Sequence, residues 1–206
     1  MEQINNSNRR ESIATTQFTA RQEGKNKYIE GYFIVFNQYT KLWNGFYEQI
    51  SPEAVQDMSD VKALYNHNHD LILGTTKSKT LRLKKDSYGI KGSILINEGD
   101  TDALNAYERI KRGDVKGCSF GFELLKEDIK QDPNGDMRST ITSMNLYEVS
   151  PCVFPAYNQT TINARKKDLE RSKMSSKKTA ANDPKLKARQ QALLEKIKKI
   201  KASSSK

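Results

Sequence analysis

The sequence predicts a mainly β domain with helices, of the α+β class, followed by a basic tail. Three observations lead to this. Between residues 13 and 162, short runs of aromatic and β-branched residues recur, punctuated by Gly, Pro, Asn and Asp. One segment, 101–112, instead carries apolar residues at helical spacing, with Gly113 just past its end. After Asn163 the composition changes abruptly to charged residues and Ser.

The elements follow in order. Residues 1–11 are polar and rich in Asn, Arg and Ser, so disorder is expected there. Tyr28-Ile29-Glu30-Gly31-Tyr32-Phe33-Ile34-Val35-Phe36 has apolar side chains on both faces and reads as a buried strand. A second strand over 46–50 leads into Ser51-Pro52-Glu53, where Ser51 suits an N-cap and Pro52 the first helical position. Residues 61–65 and 80–84 read as shorter strands. Asp86-Ser87-Tyr88-Gly89 then makes a turn before a strand over 90–96.

The helix has Thr101 as its cap, Asp102 in its first turn, and Arg109, Lys111 and Arg112 in its last, matching the macrodipole. Ala103, Ala106, Tyr107 and Ile110 form its apolar stripe. Strands over 118–125, 138–142 and 145–154 complete the domain, with Asp132-Pro133-Asn134-Gly135 turning between the first two. The domain so read covers 12–164, and the tail 165–206.

Composition narrows the function. The chain has 206 residues, of which 35% are hydrophobic, below the roughly 45–50% of an ordinary globular protein. Part of it therefore lies outside any core. No apolar run approaches the roughly 18–20 residues of a membrane span, and no apolar signal core follows Met1, so neither membrane insertion nor export is expected. Two cysteines exclude a four-cysteine zinc site and fit a reducing compartment. The net charge of +10 belongs to the tail: residues 165–206 hold 15 Lys/Arg and 4 Asp/Glu, leaving 20 and 21 in the rest. The body shows no charge signature of a phosphate-binding groove.

Three segments could carry chemistry. Tyr65-Asn66-His67-Asn68-His69-Asp70 holds both histidines of the chain. In an extended segment they would share a face, which permits a two-ligand metal site as well as catalysis or a plain polar loop. In Gly117-Cys118-Ser119-Phe120-Gly121-Phe122-Glu123, strand alternation puts Cys118 with Phe120 and Phe122, as a core thiol. Ser119 falls on the opposite face, kept narrow by Gly121. The string fits a nucleophile elbow, but no strand-to-helix turn follows, which excludes an α/β-hydrolase. Glu148 is the only charge in the apolar and small-residue run Leu146-Tyr147-Glu148-Val149-Ser150-Pro151-Cys152. Buried there it needs a partner, and a histidine is a suitable one. A histidine, a small-flanked serine and a strand carboxylate are the parts of a nucleophilic hydrolase. Spacing does not show that they converge.

These segments, in this order, resemble the tailed-phage (Caudovirus) prohead serine protease family over residues 12–164. The matching pieces are Ile29-Glu30-Gly31-Tyr32-Phe33-Ile34-Val35-Phe36, Phe46-Tyr47-Glu48-Gln49-Ile50-Ser51-Pro52-Glu53-Ala54, and Leu64-Tyr65-Asn66-His67 with Leu73-Gly74. They continue with Leu81-Arg82-Leu83, Ile110-Lys111-Arg112-Gly113-Asp114, Gly117-Cys118-Ser119-Phe120-Gly121-Phe122, and Leu146-Tyr147-Glu148-Val149-Ser150 with Phe154-Pro155-Ala156-Tyr157. The resemblance implies a maturation endopeptidase with a β-barrel core like that of herpesvirus assemblins. Its nucleophile would be Ser119, its base His67 and its third member Glu148, with no metal or cofactor.

The implied substrates are scaffold protein or scaffolding segments of the capsid protein, with self-cleavage and self-association compatible. The implied place is the assembling procapsid in the host cytoplasm, with loss from the mature virion. The competing class is a non-catalytic capsid-assembly or nucleic-acid-binding protein of protease-like fold. The basic tail supports it, although that tail has no aromatic residue for base stacking. The tail's Leu186, Leu193, Leu194, Ile197 and Ile200 would form an apolar helix stripe suited to docking on a capsid or scaffold partner.

Overall fold

In the computed structural model, the structure describes residues 9–14 and 18–154. The tail and the helix expected in it, together with Pro155, Ala156 and Tyr157 of the last matching piece, lie outside them. The described chain is mostly β with one helix. Its strands are β1 (Arg9–Ala14), β2 (Thr19–Glu23), β3 (Asn26–Val35), β4 (Thr40–Trp43), β5 (Phe46–Ile50), β6 (Lys62–Tyr65), β7 (Asn68–Thr75), β8 (Leu81–Lys85) and β9 (Gly89–Leu95). Helix α1 (Thr101–Arg112) and the long strands β10 (Gly117–Gln131) and β11 (Met137–Cys152) follow. The first strand begins inside the N-terminal segment expected to lack structure, because β10 offers it a pairing edge from Cys118 to Glu123.

Two sheets enclose the core. One has the order β1-β10-β11-β5-β4, with β6 on β11 and β7 on β6; the other is β2-β3-β9-β8. They do not close into the expected barrel. Among the described residues, backbone pairing between them is limited to the bridge of Phe36 to Ile50. The apolar faces of both sheets meet in one cluster that includes Ile29, Phe33, Ile94, Phe120, Phe122 and Ile141. Helix α1 packs on β2, β3 and β7 through Ala103, Ala106, Tyr107 and Ile110, the expected stripe. Its N-cap is Asp100, not Thr101. The Asp100 carboxylate accepts from the Asp102 and Ala103 amides, and its charge suits the positive helix end. At the other end Gly113 takes φ 86, the left-handed cap that glycine adopts without strain.

The other departures arise where long-range pairing decides. No helix starts at Ser51; Ala54 N–H closes a turn on the Ser51 carbonyl, and Val55 bridges Met144. The strands expected over 138–142 and 145–154 are one strand. Its pairing with β10 shifts register three times, leaving Tyr147 and Thr142 of β11 and Leu125 of β10 as the extra residues. Strand β11 also changes partner along its other edge. Its first part runs parallel to β5 and its last part parallel to β6, with Glu148 opposite Lys62. That handover builds the site. Among the described residues no helix is long and apolar enough to cross a membrane.

Candidate active site

Strand β10 presents Ser119 in mid-strand. On one face Cys118, Phe120 and Phe122 are all fully buried, and the Cys118 Sγ lies 3.5 Å from the Phe33 carbonyl oxygen. Burial above all, then the neighbouring Cys152 and Glu148, pushes the Cys118 thiol well above its ordinary range. It is a core thiol. The register then pairs Ser119 with Ser150 and Gly121 with Glu148 across β10 and β11. Opposite residues share a face, so these four stand together on the side away from Phe120.

Glu148 is buried and satisfied at both oxygens. Its Oε1 is 2.6 Å from His67 Nδ1, and its Oε2 accepts from the Ser150 hydroxyl at 2.6 Å. The carboxylate lies directly over Gly121, where a Cβ would stand 2.5 Å from Oε1. Glycine is required there by close approach.

Parallel pairing with β11 brings the end of β6 beside Ser150 and Pro151, and the chain then turns sharply. Asn66 and His67 take φ 53 and 58, a left-handed pair that non-glycine residues seldom adopt. Two bonds to β11 and one from Val153 just beyond it hold the turn. The Asn66 amide donates to the Pro151 carbonyl at 3.0 Å, the His67 amide to Ser150 Oγ at 3.3 Å, and the Val153 amide to Asn66 Oδ1 at 2.9 Å. The His67 ring thereby reaches Glu148. With the Nδ1 proton held by Glu148, Nε2 is the basic nitrogen of the neutral ring. Burial opposes the imidazolium, but hydrogen bonds to Cys152 and Glu148 outweigh it, and the His67 pKa is raised above its ordinary 6.5.

His67 and His69 do not share an extended face. The left-handed turn separates them, and His69 lies exposed on β7, as does Asp70. Among the described residues no group of three or more His, Cys, Asp or Glu is placed to hold a metal ion. The structure thus joins His67 to Glu148 directly. It sets Ser119 on the face that carries Glu148, opposite the Ser150 that contacts both His67 and Glu148.

Sequence reasoning missed Ser150, Asn66 and Cys152. Ser150 had a signal, since alternation from Glu148 puts it on the same strand face. Asn66 and Cys152 had none, because their roles depend on β6 lying beside β11. Chemically, the His67–Glu148 pair can take up a proton at Nε2 while the carboxylate stabilises the imidazolium.

Residues 15–175 match the family model described as Caudovirus prohead serine protease. The prohead protease of Enterobacteria phage HK97 is 28% identical over 157 residues, covering 75% of this chain and 67% of that relative. No solved structure matches the chain.

Proposed function

The chain belongs to the Caudovirus prohead serine protease family, and from that premise we propose that it is a capsid-maturation endopeptidase using Ser119, His67 and Glu148 as its triad. Ser119 Oγ attacks the scissile carbonyl while His67 Nε2 takes its proton. Glu148 holds the ring in the required tautomer and stabilises the imidazolium. His67 then protonates the leaving amine, giving an acyl-enzyme. Water, deprotonated by the same Nε2, releases the carboxylic acid and restores Ser119. Backbone amides at the developing oxyanion would contribute roughly 3–4 kcal/mol.

The observation that carries this reading is the 2.6 Å bond from His67 Nδ1 to Glu148 Oε1, across 81 positions of sequence. A buried carboxylate aimed at the nitrogen remote from the reaction is what a general-base histidine needs. The substrates in this reading are scaffold protein or scaffolding segments of the capsid protein, and the protease's own tail, within the procapsid in the host cytoplasm. The assemblin relationship belongs to the same reading, as kinship in a β core with a helix.

Co-expression with the neighbouring capsid and scaffold proteins, followed by mass spectrometry of the products, tests it. Wild type should yield shortened capsid or scaffold chains and shorten within residues 165–206, while Ser119→Ala leaves every mass intact. Identical masses in both would remove the proteolytic reading and favour a non-catalytic assembly protein.

A further inference from the structure

Three relationships converge on Ser150, which is fully buried. Its hydroxyl donates to Glu148 Oε2 at 2.6 Å. The same oxygen accepts the His67 backbone amide at 3.3 Å. In the strand register Ser150 stands directly opposite Ser119. One small side chain thus touches both members of the histidine–carboxylate pair and faces the serine.

Each contact answers a physical need. His67 sits at φ 58, where an L residue is strained, and an amide bound to the adjacent strand keeps the turn in that conformation. Glu148 uses Oε1 for the ring, so without Ser150 its Oε2 would lose the hydroxyl that donates to it inside the protein. A hydroxyl meets both needs at once because its oxygen accepts while its proton donates.

We propose that Ser150 is a positioning residue of this site, holding Glu148 and the His67 turn in register and moderating the carboxylate's pull on the His67 proton. The inference rests on the triad reading above. By donating to Oε2, the hydroxyl withdraws negative charge from the carboxylate. Its removal therefore strengthens the attraction of Glu148 for the imidazolium and raises the His67 pKa further. A serine that only filled space would not move that titration.

The test uses the full chain, whose two histidines make ring NMR titration simple to assign. The His67 titration is followed in wild type, Ser150→Ala and Ser150→Thr, together with the pH-dependent rate at which a fluorophosphonate labels Ser119. Ser150→Ala should shift the His67 titration upward by roughly half a unit or more and slow labelling roughly tenfold. Ser150→Thr, which keeps the hydroxyl, should restore both. A folded Ser150→Ala protein with wild-type titration and labelling overturns the proposal. Should Ser150→Ala not fold, Ser150→Cys keeps the volume with a weak donor and decides the matter by the same upward shift or its absence. Failure to label wild-type Ser119 would count against the serine as nucleophile, while the His67 titration still decides for or against Ser150.

Discussion

The Glu148 carboxylate rests on Gly121 so closely that a Cβ at position 121 would meet Oε1 at 2.5 Å and the Glu148 Cγ at 3.0 Å. No rotation of the carboxylate alone relieves both contacts, so Gly121→Ala must displace the whole side chain from His67. Misplacement on the scale of an ångström costs about 100-fold in rate. We expect Gly121→Ala to lose activity on that scale and to lower the His67 pKa toward its ordinary value, read by NMR titration. A fully active Gly121→Ala protein would show that the Gly121–Glu148 contact is not needed.

The adjacent residues Cys118 and Ser119 should behave oppositely. Cys118 is fully buried against the core, with its thiol held protonated. Cys118→Ala should keep most activity while losing about 1 kcal/mol of stability from a small cavity, measured by denaturant unfolding. A folded but inactive Cys118→Ala protein would reopen a cysteine mechanism.

The two histidines should separate just as clearly. His67→Ala removes the ring bonded to Glu148 and should abolish cleavage, whereas exposed His69→Ala should remain substantially active. Treatment with EDTA should leave the wild-type rate unchanged. Loss of activity on chelation, restored by zinc, would replace the triad with a metal mechanism.

Acidity should silence the enzyme at a higher pH than an ordinary histidine would dictate. The base must be neutral to accept the Ser119 proton, and the His67 pKa lies above 6.5. The acid limb of kcat/KM should therefore lie above that value. Glu148→Gln removes the charge that favours the imidazolium, so the limb should move to lower pH while the maximum rate falls. The stability linkage has the opposite sense. Because the folded value exceeds the unfolded one, the ion pair stabilises the fold fully below about pH 6.5 and loses that contribution as pH rises through the raised value. Thermal unfolding of wild type and Glu148→Gln across this range reads the difference.

Much of this was legible locally. Alternation alone separated Cys118 from Ser119, and the 3.6-residue period identified all four buried residues of α1. The strand over 46–50 emerged with its bounds as expected because Gly45 and Ser51 punctuate it. The site was legible as three parts without an assembly. What joins His67 to Glu148 is the change of β11's partner from β5 to β6, a long-range pairing with no local pattern. Asn and His tolerate left-handed backbone better than most residues, but that preference alone does not place Asn66 and His67 there in succession, and the bonds that hold them come from residues 150–153. Asp100 displaced Thr101 as the cap because both types cap well and the tertiary path chose between them.

The central claim is that Ser119 is a nucleophile activated by His67. Peptide mapping by mass spectrometry after fluorophosphonate treatment of the full chain tests it most directly. The account predicts a single adduct on Ser119 in wild type, none in Ser119→Ala, and labelling slowed at least about 1000-fold in His67→Ala. An adduct on another residue, or Ser119 labelled equally fast without His67, would contradict it.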